Sequence, residues 1–313
     1  MVPGSNLSPV GKWCLPPFSR ASVDWKVFVI KLFASDLDGT LLNAFHKVDR
    51  TITDAIREVT DAGAHVVLAT GRTLLSGSEI GFGDLPVEVC GANGAIIAGR
   101  TGVLKTFTVR PELLELLIPA FPGICFECIS LDGMFASASA ELREAGFAAD
   151  PPWRRVALRG MRRLQAQSIQ FNVPLAQILE HEICKVNCRV ADAGLAAELK
   201  AFIAEHADLV VNAPFSPVMF EMTDPAVNKG ASIAWLARHL GVREDEVAVY
   251  GDGGNDIAML ERFEHAYATA NGSAAAKRAA GNVIGRCAFH AVPRHMVATV
   301  RERHRGSSHT IIE

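Results

Sequence analysis

The sequence predicts an α/β fold, a Rossmann-like parallel-sheet core with an inserted α+β cap domain. Three observations carry that expectation. An apolar run, an amphipathic helix and a second apolar run follow one another near the start; the same grammar returns near the end; the stretch between has a different texture. Residues 26–35 form a continuous run rich in Val, Ile and Phe, as a strand buried on both faces requires. Over residues 51–62, Ile52, Ala55, Ile56, Val59 and Ala62 recur at helical spacing, and Gly63 supplies a stop. Residues 65–69 are apolar again, so the three elements read as a βαβ unit with a right-handed crossover. Near the end, Ile233, Leu236, Ala237 and Leu240 share one helical face before Gly241, and strands are expected at 247–250 and 265–269.

Between these blocks, short strands at 125–129 and 183–190 mix with helices at 112–117 and 193–205. The expected division is a core of residues 26–101 and 213–300, an α+β insertion of 102–212, a loose extension over 1–25 and a frayed tail over 301–313.

Composition narrows the function classes. The 313 residues are 49% hydrophobic and 21% charged, as in a folded globular protein. A net charge of −3 gives no reason to expect a nucleic-acid or anionic-membrane partner. No apolar run reaches bilayer length and no secretory signal is legible, so the cytoplasm is the expected location. Seven cysteines are an odd count for a disulfide scaffold. Cys125/Cys128 and Cys184/Cys188 lie in strand-like segments; residues three apart on a strand face opposite ways, so Cys125 and Cys128 cannot close on one ion. Both pairs read as small buried hydrophobes rather than zinc ligands.

The polar clusters fall where open α/β sheets bind ligands, beyond the carboxyl ends of strands. The first strand ends in Asp36-Leu37-Asp38-Gly39-Thr40, the second in Thr70-Gly71-Arg72, and a later one in Asp252-Gly253-Gly254-Asn255-Asp256. Carboxylates converging on one edge repel one another unless a cation sits among them. Oxygen donors without sulfur or imidazole favour Mg²⁺. On an extended chain Asp36 and Asp38 face the same way, so one can attack phosphorus while the other exchanges a proton with the leaving oxygen and then with water. Asp-Gly also begins ordinary turns, and only the strand context and the other clusters lift this motif above that reading.

Five stretches, in order, carry a family resemblance: Ser-Asp-Leu-Asp-Gly-Thr-Leu-Leu-Asn (35–43), Ala-Thr-Gly-Arg (69–72), Gly-Ala-Asn-Gly-Ala (91–95), Asn-Lys-Gly (228–230) and Gly-Asp-Gly-Gly-Asn-Asp-Ile-Ala-Met-Leu (251–260). With these, the chain resembles the haloacid dehalogenase superfamily, specifically its Cof-type phosphatase branch with an α/β cap between the second and third motifs. The resemblance implies a magnesium-dependent phosphatase acting on a small phosphorylated metabolite. Asp36 would be nucleophile and metal ligand, and Asp38 the general acid/base, with its backbone carbonyl on the metal. Thr70 and Lys229 would bind the phosphoryl group, and Asp252 and Asp256 would ligate or orient the metal. An acid at position 38 favours phosphate esters over the dehalogenase and phosphonatase branches.

Other residues keep two readings. Gly71, Arg72, Asn93 and Asn255 belong either to the phosphate site or to its supporting loops, and Arg72 can equally salt-bridge within the fold. Asn271 reads as an ordinary loop residue. Arg154, Arg155, Arg159, Arg162 and Arg163 form either a solvated face or a site for phosphorylated sugars. A phosphomutase is the nearest rival function, and a silent ligand-binding protein on the same fold is a rival of another class. Residues 286–296 do not resemble the family's usual ending, which leaves the last core element open.

Overall fold

A computed structural model of the chain describes residues 29–148, 150, 167–213 and 218–308. Its first sheet takes in β1 (Leu32–Ser35), β2 (His65–Ala69), β3 (Glu88–Gly91), β4 (Ile96–Gly99) and β5 (Gly102–Thr106). A second group follows with β6 (Glu127–Ser130), β7 (Gly133–Ala136), β8 (Ile169–Gln170), β9 (Lys185–Arg189), β10 (Val211–Asn212) and β11 (Met219–Thr223). The chain then returns with β12 (Val247–Gly251), β13 (His265–Thr269) and β14 (Asn282–Ile284).

The first sheet has the order β14-β13-β12-β1-β2-β3-β4-β5. Pairing is parallel from β14 to β3 and antiparallel from β3 to β5. Successive crossovers run one way from β1 to β2 and the other way from β12 to β13. The strand order therefore reverses between β1 and β12, and the carboxyl ends of these two strands flank the crevice.

Both faces of this sheet are covered, which is why its inner strands read as unbroken apolar runs. On one face Phe33, Val66 and Leu68 pack with Ile52, Ile56 and Val59 of the helix Arg50–Asp61 and with Val292, Met296 and Val300 of the helix Ala291–Ser308. On the other, Leu32, Ala34, Val67 and Val249 pack under Ile233, Leu236 and Ala237 of the helix Lys229–His239. The second sheet, in the order β10-β11-β9-β6-β7-β8, is antiparallel except for its parallel β7–β8 pair. One face buries Cys128, Phe135, Val186, Phe220 and Met222 against Leu113, Leu117 and Leu199 of the helices Pro111–Ala120 and Ala193–Glu205. Its other face meets the first sheet through Ile129 and Cys184, which pack on Ala92, Ala95, Ile96 and Val227.

Four expectations are adjusted. Of the strand expected over 26–35, Leu32–Ser35 is strand and residues 29–31 are not, although the Lys31 amide still donates to the Glu246 carbonyl at 2.8 Å; residues 26–28 lie outside the described residues. β5 belongs to the first sheet and β11 to the second, so the chain changes sheets after Thr106 and again after Thr223 rather than at 102 and 212. The segment that does not resemble the family ending becomes an apolar-striped helix packed on Arg50–Asp61. That helix continues to Ser308 where a frayed tail was expected from Arg301, whose guanidinium forks Glu58 at 2.6 and 2.9 Å. Residues 1–28, the extension among them, and the arginine run of 154–163 lie outside the described residues. Among the described residues, no helix is long and apolar enough to cross a membrane.

Candidate active site

The end of β1 builds the floor of the crevice. The Asp36 amide donates to the Tyr250 carbonyl at 2.9 Å, a last rung toward β12, and Asp36 is still extended. The chain then coils through Leu37–Leu41, with the Leu41 amide donating back to the Asp36 carbonyl at 3.1 Å. Gly39 makes the coil possible, since it sits at φ +84° and a β-carbon there would lie 2.3 Å from Asp252 Oδ2. The loop after β1 thus closes directly onto the loop after β12.

Three carboxylates meet at this closure: one oxygen from each of Asp36, Asp252 and Asp256 lies within 4.8 Å of the others. Lys229, fully buried at the start of its helix, donates from Nζ to Asp36 Oδ1 and to Asp256 Oδ1, each at 2.6 Å. Asn228 caps that helix by accepting from the Ala231 amide at 2.8 Å, which fixes the point where Lys229 enters the site. The second oxygen of Asp256 accepts the Asp252 and Gly253 amides, both at 2.9 Å.

Charge balance tests whether a cation fits. Three carboxylates share one ammonium here. Burial pushes the Asp36 carboxyl up to about 7 against the pull of Lys229, with Asp256 and Asp252 adding to the rise. Burial and then Asp256 push Asp252 up to about 6. Burial alone would lower Lys229, but Asp256 and then Asp36 hold it above the ordinary lysine range. A hard divalent cation among these oxygens would relieve the repulsion, and the donor set suits Mg²⁺.

Asp38 stands apart from this trio. Arg72 forks its carboxylate, Nε to Oδ2 at 2.8 Å and Nη2 to Oδ1 at 2.6 Å, and His46 Nδ1 lies 2.9 Å from Oδ1. Partial burial would raise the Asp38 carboxyl, yet Arg72 and then His46 hold it below its ordinary value. Of the two readings of Arg72, the structure shows the internal salt bridge, and its partner is a site residue. Thr70 is buried, and its Oγ1 accepts the Arg72 amide at 3.1 Å. Asn255 Nδ2 donates to Asn93 Oδ1 at 3.1 Å, and a β-carbon on Gly71 would approach that same oxygen to 2.9 Å. Asn93 itself sits at φ +59°. Asp36, Asp38, Thr70, Gly71, Arg72, Asn93, Lys229, Asp252, Asn255 and Asp256 therefore gather at one sheet edge, with Asp38 and Arg72 paired at one side of the carboxylate cluster.

Sequence reasoning passed over several supports. Thr40 Oγ1 donates to Asp252 Oδ1 at 3.2 Å. Asn271, read as an ordinary loop residue, donates from Nδ2 to the Gly39 carbonyl at 2.7 Å and accepts the Cys287 amide at 2.9 Å. Thr269 Oγ1 reaches the same Gly39 carbonyl at 3.2 Å. Thr40 lies inside the motif that follows β1, whereas the only sequence signal of Thr269 and Asn271 was position, at or just beyond the carboxyl end of β13. Asn271→Ala is expected to lower the urea-unfolding free energy by about 1 kcal/mol. The same change should slow turnover, because Gly39 holds the loop against Asp252.

Cys125, Cys128, Cys184 and Cys188 are all buried. Cys125 and Cys128 lie in different hydrophobic clusters, as do Cys184 and Cys188. Among the described residues, Asp36, Asp252 and Asp256 are the group of potential ligands close enough to hold one ion.

Comparison with known proteins places this geometry. The profile of haloacid dehalogenase-like hydrolases matches residues 33–296, from β1 into the last helix. The chain belongs to this family. Among relatives of this hydrolase, a phosphoglycolate phosphatase of Methanoculleus marisnigri is 28% identical over 74% of this chain and 81% of its own length. An HMP-PP phosphatase of Yersinia enterocolitica is 27% identical over 85% of this chain and 94% of its own. A haloacid dehalogenase-like hydrolase from B. subtilis shares the fold, with a TM-score of 0.71 at 24% identity over 85% of this chain and 99% of that one.

Proposed function

We propose that this hydrolase is a cytoplasmic, magnesium-dependent phosphatase that removes phosphate from a small phosphorylated metabolite, a sugar phosphate or similar phosphomonoester, through a phospho-aspartate at Asp36. One observation carries the reading: a buried lysine bridges Asp36 and Asp256, with Asp252 alongside, at the carboxyl edge of a parallel sheet. The phosphatase names of the relatives support it. Those names differ in substrate, so the reaction class is carried over and the metabolite is not.

Asp36 Oδ1 accepts from Lys229, which leaves Oδ2 to attack phosphorus. As the phosphorus–oxygen bond of the ester breaks, Asp38 gives a proton to the leaving oxygen. It must therefore enter this step protonated, against the pull of Arg72 and His46, and it regains that proton from water in the next. Water then attacks the phosphorus, Asp38 takes the proton, and the bond to Asp36 breaks to release phosphate. The Arg72 fork favours the ionised Asp38 that this second step needs. Thr70 donates its hydroxyl to a phosphoryl oxygen, and Lys229 offsets the charge that gathers there. Mg²⁺ held by Asp36, Asp252, Asp256 and the Asp38 carbonyl would neutralise phosphoryl charge and orient the group for in-line attack. No observation among the described residues favours a mutase, since the arginine run that would bear on it lies outside them.

The test is hydrolysis of p-nitrophenyl phosphate. Turnover with Mg²⁺ is expected, with loss on adding EDTA and recovery when Mg²⁺ is returned in excess. Full activity in EDTA after exhaustive dialysis would overturn the metal assignment.

A further inference from the structure

Lys185 of the second sheet reaches across to the loop after β2. Along β9, Val186 and Cys188 enter that sheet's own core, so Lys185 points to the opposite face, toward the first sheet. Lys185 is 1% exposed. Its Nζ donates to the Gly71 carbonyl at 2.9 Å and also to Glu221 on β11. Glu221 is buried as well, and its second carboxylate oxygen has no hydrogen-bond partner among the described residues.

Burying such a pair gains little stability, because desolvation offsets the attraction, and apolar residues of similar volume would serve a sheet interior as well or better. The position of the pair points to another use. Three successive carbonyls are tied back: Thr70 to the Asn93 amide at 2.9 Å, Gly71 to Lys185 at 2.9 Å, and Arg72 to the Ala92 amide at 2.8 Å. The middle one is gripped from the second sheet. The Gly71 carbonyl and the Arg72 amide belong to one planar peptide group, so holding one end fixes the other. That other end donates to Thr70 Oγ1 at 3.1 Å. A hydroxyl has one proton and two lone pairs. With one lone pair committed to Arg72, the proton of Thr70 is left to donate elsewhere.

We propose that Lys185, braced by Glu221, is a positioning residue: it holds the Gly71–Arg72 peptide so that Thr70 presents its hydroxyl proton to the phosphoryl group. The role couples the seating of the second sheet to the geometry of the site, because neighbouring Cys184 belongs to the apolar seam between the sheets. It rests on the phosphatase reading above, and the experiment separates the two.

Lys185→Met is compared with Thr70→Val and with the double variant, using p-nitrophenyl phosphate with Mg²⁺. The expected result is a kcat lower by about 10- to 100-fold with little change in KM. The double variant should lose no more than Thr70→Val alone, since Lys185 acts through that hydroxyl. Because Lys185→Met strands the Glu221 charge, Lys185→Met with Glu221→Gln is made in parallel, and the same kcat loss is expected in that folded, uncharged pair. Hydrogen exchange over residues 70–72, read by mass spectrometry, should accelerate in both Lys185 variants. Wild-type kcat in the uncharged pair, losses that multiply with Thr70→Val, or unchanged exchange at 70–72 would each overturn the positioning role. An inactive wild type would instead overturn the phosphatase reading, and the exchange measurement would still decide whether Lys185 holds the loop.

Discussion

Asp36→Asn is expected to reduce turnover of p-nitrophenyl phosphate by a factor on the order of 10⁴ or more, as loss of a group central to a catalytic unit does. Asparagine matches aspartate in shape, and its carbonyl can still accept the hydrogen bond that Lys229 gives Asp36 Oδ1. What it lacks is the nucleophilic carboxylate. The substitution also removes one of three like charges crowded within 4.8 Å, so the chain should stay folded with a urea midpoint close to wild type. Loss of activity without loss of fold is therefore the signature. A complementary measurement traps the intermediate. Wild-type protein quenched in acid during turnover should carry the mass of one phosphoryl group on the peptide containing Asp36, and the asparagine variant should carry none. Turnover by Asp36→Asn at the wild-type rate would place the nucleophile elsewhere.

Lys229→Met should fail in both respects at once. The side chain is fully buried and sits 2.6 Å from an oxygen of each of two aspartates. Methionine fills the space but leaves Asp36 and Asp256 facing each other without a counter-charge. Removing one partner of a buried ion pair costs about 3–5 kcal/mol. The urea-unfolding free energy should fall by that amount, and turnover should fall with it because nothing then offsets the charge at the transferring phosphoryl group. Mg²⁺ should return part of the lost stability, more than it adds to wild type, since a cation among the three carboxylates replaces some of the missing charge. A Lys229→Met protein as stable as wild type in EDTA would mean that the two aspartates are not held ionised by this lysine.

Much of the site was legible in the sequence because its signals are local. Asp36, Thr70 and Asp252 each follow a short apolar run, and such runs end where a buried parallel strand leaves the sheet. A rule about where open sheets bind ligands then gathers them at one edge without any coordinate. The left-handed turn at Gly39 and the cap at Asn228, which the structure supplied, are local in the same way, since a backbone conformation or a helix start is chosen within a few residues.

The rest depended on contacts between distant positions. Lys229 and Asp36 are 193 residues apart, and Asn271 and Gly39 are 232 apart. No periodicity foretells that a lysine opening a helix will lose its water and bridge two carboxylates. Arg72 had an even choice between a salt bridge and substrate until the coil of 37–41 turned Asp38 toward it. Lys185 offered a faint signal, a charge inside an apolar strand, but its meaning required knowing which face of β9 looks toward Gly71.

By itself, the sequence determined the parallel core, the α+β insertion, the family and the residues at the crevice, because burial periodicity and strand-end motifs are set by short-range chemistry. Only the tertiary structure decided which carboxylate oxygens share Lys229, how Arg72 and His46 hold Asp38, where the last helix packs, and that a lysine from the second sheet grips the peptide beside Thr70. Those outcomes depend on how two sheets seat on one another, and that is decided by packing across the whole chain rather than within any stretch of it.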